Sequence, residues 1–239
     1  MKNQHFKKAP PKRPFMDPSL TFQVTEAYKV ARTSLAFSLL KKGCKKVIVT
    51  SSLDAEGKST TSVNLAKSLA QQVDIKVLLI DSDLRRPKIH EYFGLENTVG
   101  LTNYLGNMCG VKDVTRPTEE PNLSVICSGV AVPNPSELLA SSAMKNLLAC
   151  LEPYYDYIIM DTSPVNIVVD ALPLAKISDG VIIVVRDGIS TYPELTKTVE
   201  TLKMAEAKIL GIILNGMKPE PRDCRYRYDR YGKTCEPCP

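Results

Sequence analysis

The chain has 239 residues, 44% of them hydrophobic and 24% charged, and a formal charge of +5. Those values suit one sizeable soluble α/β domain with a complete core. No run of about 18 apolar residues is present, which excludes a membrane-spanning helix. The basic opening "MKNQHFKKAPPKRPFMDP" lacks an apolar h-region and does not read as a secretory signal, so a cytoplasmic protein is expected.

Residues 1–20 read as a basic arm, in which Lys2, Lys7, Lys8, Lys12 and Arg13 have no acidic neighbour. A solvated arm and a contact for anionic lipid or an acidic partner are both open. Nucleic acid is not expected, because the basic residues are not interleaved with aromatics on a recognisable module. A helix follows near 24–41. Val24, Ala27, Tyr28, Ala31, Leu35 and Leu39 recur at helical spacing and predict its buried stripe. Glu26, Lys29 and Arg32, three apart, lie on the other side.

The apolar run "KVIVTS" (46–51) predicts a strand, and a helix is expected near 58–72. Between them stands "SLDAEGKST", with Glu56-Gly57-Lys58-Ser59-Thr60 at the strand-to-helix turn. A phosphate loop needs that context: backbone N–H groups and the helix dipole favour an anion there. Lys58 would reach the β- and γ-phosphates, and the Ser59 hydroxyl would meet Mg²⁺. Ser52 occupies the place of the first glycine of G-x-x-x-x-G-K-[ST], and Asp54-Ala55 stand where further glycine often sits. Asp54 and Glu56 bring negative charge to a loop meant for polyphosphate. The turn taken alone also reads as a capped helix start.

"KVLLID" (76–81) predicts a second strand, which ends in Asp81 and is followed by Asp83. Residues two apart in a strand point the same way, so both carboxylates can serve one site. "LSVICSG" (123–129) is a third strand, and a helix is expected near 136–151. "YDYIIMD" (155–161) ends in Asp161, the position that holds Mg²⁺ in phosphate-loop enzymes. A strand "DGVIIVV" (179–185), a helix near 193–206 and a strand "ILGIIL" (209–214) complete the core. Several strands are apolar throughout, as strands covered on both faces are. The alternation predicts a doubly wound, mostly parallel sheet with helices on both faces, a P-loop NTPase fold over 21–216.

Residues 217–239 read as a flexible tail carrying Tyr226, Tyr228 and Tyr231 among charged residues. RNA stacking and plain linker are alternative uses of such a tail. Of the seven cysteines, Cys44, Cys109, Cys127 and Cys150 read as small core residues. Cys224, Cys235 and Cys238 lie in the tail, short of a four-ligand zinc set.

The succession "AEGKST", "LLIDSDLRRP" and "YIIMDTSP" resembles the Walker A, A′ and B motifs of the bacterial tyrosine kinases, within the MinD/ParA-like P-loop ATPases. "EAYKVARTSL", "VTSSLDAEGKSTTSVNLAKSLAQ" and the tyrosine tail extend the resemblance over residues 22–232. The resemblance implies ATP and Mg²⁺ as cofactors, with Lys58 and Ser59 on phosphate and metal. It makes Asp81 and Asp83 the pair serving Mg²⁺ and the incoming tyrosine hydroxyl, with Asp83 favoured as base, and Asp161 the Walker B residue. Tyr226, Tyr228 and Tyr231 would be phosphoacceptors that enter a neighbour's site, which explains three phenols left unburied. Glu26, Lys29 and Arg32 match a Glu-x-x-Arg-x-x-Arg motif that packs subunits into a ring, with lysine replacing the first arginine. Asn215 matches an adenine contact, and it also reads as an Asn-Gly turn. Asp170 would cap a helix or serve the site.

The implied protein is an ATP-dependent tyrosine autokinase of capsular or extracellular polysaccharide synthesis. It would work with a membrane-embedded adaptor whose cytoplasmic tail activates it and recruits it to the inner face of the membrane, and with a cognate tyrosine phosphatase. The alternatives are a MinD/ParA-like positioning ATPase and a weakly nucleotide-binding regulatory subunit. The absence of a second lysine in "SSLDAE" and the tyrosine tail favour the kinase.

Overall fold

The computed structural model describes residues 21–217; the phosphoacceptor candidates and the tail cysteines lie outside them. In chain order the elements are α1 (Thr21–Ser38), β1 (Lys45–Ser51), α2 (Lys58–Ala70), β2 (Val77–Asp81), α3 (Ile89–Phe93), α4 (Leu101–Leu105), α5 (Val111–Val114) and β3 (Thr115–Pro117). There follow β4 (Leu123–Ile126), α6 (Pro135–Ala140), α7 (Ser142–Leu151), β5 (Tyr157–Asp161), α8 (Ala171–Ala175), β6 (Gly180–Arg186), α9 (Tyr192–Met204) and β7 (Ile209–Asn215).

The strands form one sheet in the order β3-β4-β2-β5-β1-β6-β7. All neighbouring pairs are parallel except β3 with β4. From β1 the chain crosses past β5 to β2, and it later returns to the other flank of β1 as β6. β1 is therefore the switch point of the winding, where ligand crevices open at the carboxyl ends of the strands.

Apolar strands follow from burial on both faces. Ile48, Leu78, Ile80, Ile158 and Met160 join one core layer with α4 to α9. Val47, Val49, Leu79, Ile159 and Val184 alternate with them into a second layer under α1, α2 and α3. Period-two geometry sends successive side chains to opposite faces, so the central strands β2 and β5 are buried along their whole length, whereas the edge strands β3 and β7 are not. Among the described residues no helix is long and apolar enough to cross a membrane.

Three expectations need correction. On α1 the deep contacts are Leu35 and Leu39, the latter just past the helix end, whereas Ala27 is exposed. Tyr28 and Ala31 are half-buried against the same core, so the stripe is shallower toward the start of the helix and leaves Ala27 outside it. The stretch 136–151 is two helices, because Ser141 leaves helical geometry and its hydroxyl caps the second by accepting from the Met144 N–H at 3.3 Å. Cys150 is exposed and Cys109 only half-buried, while Cys44 and Cys127 are core residues. α7 buries Met144, Leu147, Leu148 and Leu151, and Cys150 falls outside that stripe.

Candidate active site

β1 ends at Ser51, and α2 starts at Lys58. Gly57 is the N-cap at φ 89°, and it offers no side chain to the first-turn amides. The backbone conformation favours glycine, and a Cβ there would lie 2.2 Å from Asn215 Nδ2 and displace that side chain from the loop. The amides are left to face an anion, with the helix dipole behind them. Ala55 takes a left-handed φ of 63° where glycine would sit without strain. That conformation costs a non-glycine residue about 1 kcal/mol.

The loop's departures from the glycine pattern have structural partners. Ser52 is buried, and its hydroxyl accepts from Thr198 Oγ1 of α9 at 2.8 Å. Glu56 is fully buried; its carboxylate accepts from the Leu53 N–H at 2.7 Å, the Arg186 N–H at 3.2 Å and the Ser190 hydroxyl at 2.5 Å. It fastens the loop to the end of β6 and does not point its charge at a phosphate. Asp54 is paired with Arg86 at 2.5 Å. Asn215 donates to the Glu56 carbonyl at 3.1 Å, and its own Oδ1 accepts from the Gly216 N–H at 2.9 Å. Thr60 shares a 2.6 Å hydrogen bond with the Tyr92 hydroxyl of α3.

β2 and β5 are in register, so Asp81 stands beside Asp161. Both are fully buried. Asp81 Oδ2 accepts from the N–H groups of Lys88 and Ile89 at 3.1 and 3.0 Å. Asp161 Oδ1 accepts from Ser62 Oγ at 2.9 Å. Asp81 Oδ1 and Asp161 Oδ2 have no hydrogen-bond partner. Asp83, also buried, accepts on Oδ1 from Ser163 Oγ at 2.7 Å and the Arg86 N–H at 3.2 Å. Lys58 and Ser59, nearly buried, open α2 beside these acids.

Electrostatics follow from this crowding. Burial pushes the Asp161 carboxyl up to about 6, against the pull of the nearby Ser59 hydroxyl, the Lys58 charge and the Ser62 hydrogen bond. Burial first, then the Asp161 charge, holds Asp81 well above the usual carboxylate range, opposed by the Ile89 and Lys88 amides. Two unpaired carboxylate oxygens behind a phosphate loop are the arrangement a hard cation would satisfy. Among the described residues no group of three or more His, Cys, Asp or Glu forms a closed metal cluster.

Several neighbours were not singled out by motif. Ser62 lies three residues beyond Ser59 on α2, and Ser163 two beyond Asp161; that spacing is the only sequence signal they carry. Asp170 makes no capping bond. Its buried carboxylate takes Arg85 as a fork at 2.6 and 3.1 Å and also accepts from Ser136. On α1, Glu26 and Lys29 pair with each other at 2.6 Å, and Arg32 Nη1 donates to the Ser68 carbonyl of α2 at 2.6 Å. The three are half-buried and far in sequence from the phosphate loop.

A nucleotide-binding domain of the P-loop class is what this sheet, loop and acid set define. Residues 44–212 match the family described as AAA domain. The chain is 42% identical over 196 residues to the tyrosine-protein kinase YwqD of Bacillus subtilis, covering 81% of each. The kinase domain of Escherichia coli tyrosine kinase ETK superposes with a TM-score of 0.80 at 32% identity, over 90% of this chain and 85% of that one. The chimerical protein CapA2B2 does so with a TM-score of 0.77 at 36% identity, over 81% and 85%. The chain belongs to the bacterial tyrosine-protein kinase family of AAA-domain proteins.

The Asp161 shift fixes a sign. A carboxyl at about 6 in the folded protein, against an ordinary 3.8, favours folding in its neutral form. That contribution is present below the ordinary value and lost as pH rises through about 6. In the absence of nucleotide and divalent cation, the urea midpoint of the wild type should therefore fall relative to Asp161→Asn between pH 4 and 7. A constant offset between the two across that range would contradict the account.

Proposed function

We propose that the protein is an ATP-dependent tyrosine kinase that autophosphorylates Tyr226, Tyr228 and Tyr231 between subunits. The observation that carries this reading is the meeting of Asp81, Asp83 and Asp161 with the Gly57–Ser59 turn at one sheet edge, two buried carboxylate oxygens being left unpaired. Family membership and a tail holding three phenols supply acceptor and reaction type.

The α2 amides and Lys58 would hold the β- and γ-phosphates, with Glu56 and Asn215 fixing the loop that presents them. Asp81, Asp161 and the Ser59 hydroxyl would hold Mg²⁺. When bound, Mg²⁺ neutralises phosphate charge. Asp81 suits the metal side, because one oxygen is fixed on two amides and the other is unpaired. Asp83, anchored by Ser163, would orient the tyrosine hydroxyl and accept its proton. The phenolic oxygen then forms its bond to the γ-phosphorus as the bond to ADP breaks. An ordinary phenol has a pKa of about 10, so an adjacent carboxylate is needed for orientation as much as for basicity.

The oligomer is a ring of unphosphorylated subunits in which α1 contributes Glu26, Lys29 and Arg32. Each added phosphate carries about −1.5 to −2 charges, so a phosphorylated tail leaves the acidic site and loosens the ring. A membrane-embedded adaptor supplies an activating cytoplasmic tail and recruits the kinase to the inner face of the membrane, and a tyrosine phosphatase reverses the modification. The pathway is capsular or extracellular polysaccharide synthesis.

Phosphotyrosine mass spectrometry after incubation with Mg-ATP tests the reaction, with the adaptor's cytoplasmic tail as an added arm. Phosphate should appear on Tyr226, Tyr228 or Tyr231 and vanish in Lys58→Met. ATP hydrolysis without phosphotyrosine in any arm would overturn the reading. Arg32→Ala should lower tail phosphorylation severalfold at unchanged ATP affinity; equal phosphorylation would remove α1 from the assembly.

A further inference from the structure

Two consecutive arginines follow Asp83, and the structure treats them differently. The Arg85 guanidinium is fixed as a fork on the buried Asp170. Arg86 is anchored at its backbone, where its N–H donates to Asp83 Oδ1 at 3.2 Å. Its side chain crosses from the β2 loop to the phosphate loop and meets Asp54 Oδ2 at 2.5 Å. The ion pair thus joins the two walls of the site, one holding the candidate base and the other the phosphate-binding amides.

The pair is open to solvent, with Arg86 69% and Asp54 39% exposed. Ion pairs that exposed contribute little to stability and are exchanged readily. Asp54 is also misplaced for its surroundings, since a carboxylate in a phosphate loop repels the ligand the loop serves. A guanidinium matches phosphate oxygens as well as it matches a carboxylate. The loop has no early lysine in "SSLDAE"; two guanidiniums reach it, Arg186 on the Ala55 carbonyl at 3.2 Å and Arg86 on the Asp54 carboxylate, and Arg86 is the one that comes from the wall bearing the candidate base.

We propose that Arg86 is a phosphate-binding residue of this site and that Asp54 is its competitor, releasing the guanidinium when a nucleoside triphosphate arrives. The inference rests on the nucleotide site argued above. It gives the two partners opposite roles: Asp54 opposes binding and Arg86 favours it. An ion pair that only braced the loop would give them the same role.

Titration of a fluorescent mant-ATP with Mg²⁺ into wild type, Asp54→Asn, Arg86→Ala, Arg86→Lys and Lys58→Met separates these cases. Melting temperatures should stay level for the exposed Asp54 and Arg86 variants. Asp54→Asn should bind about fivefold more tightly and Arg86→Ala about fivefold more weakly, with Arg86→Lys between, and the spread should narrow in high salt. Asp54→Asn and Arg86→Ala moving in the same direction, or neither moving while Lys58→Met loses binding, would overturn the inference. Binding that Lys58→Met leaves intact would overturn the nucleotide site itself, and this inference with it.

Discussion

Asp81 and Asp161 end neighbouring parallel strands in register, and neither side chain has surface open to water. Burial strips both of hydration and pushes both toward their neutral forms; the Asp161 charge adds to the shift of Asp81, and the Asp83 charge to that of Asp161. Much of the local structure offsets that cost. The turn into α3 gives Asp81 two amides, α2 gives Asp161 a serine hydroxyl, and Lys58 adds a positive charge. One oxygen on each acid is still unsatisfied. Such strain is retained where function needs it, and a hard cation with phosphate is the ligand that would relieve it.

The rest of the site is held by ties between loops. Ser163 joins the loop after β5 to Asp83, and Asp170 joins the same segment to Arg85. Glu56 and Asn215 tie the phosphate loop to the ends of β6 and β7. The sheet therefore sets the spacing of the acids, and these side chains set the aim of the loops. Phosphoryl transfer asks chiefly for alignment and charge neutralisation, so rigidity at the sheet edge serves the reaction directly.

Much of the fold was legible from the strands, because continuous apolar runs between helical patterns leave few alternatives to a buried parallel sheet. Asp81 and Asp161 were legible because each ends such a run, and Asp83 because it stands two residues beyond one. The break at Ser141 was hidden, since helical periodicity continues across it and only a serine cap marks the interruption. The antiparallel β3 and the short helices α3, α4, α5 and α8 carry too few residues to show a period. Glu56 was the least readable position. Sequence placed its charge beside the phosphates, whereas contacts from Arg186 and Ser190, over a hundred residues away, turn the carboxylate inward. Arg85 and Asp170 were obscure for the same reason, since their pairing spans 85 residues.

The central claim is that the unpaired oxygens of Asp81 and Asp161 are kept for a divalent cation delivered with ATP. Thermal unfolding with ATP alone and with ATP plus Mg²⁺, for wild type and Asp161→Asn, tests it most directly. Mg²⁺ should add several degrees to the ATP-bound wild type and almost nothing to the variant. An equal Mg²⁺ increment in both proteins would show that the cation does not use this acid, and the account of the site would fail.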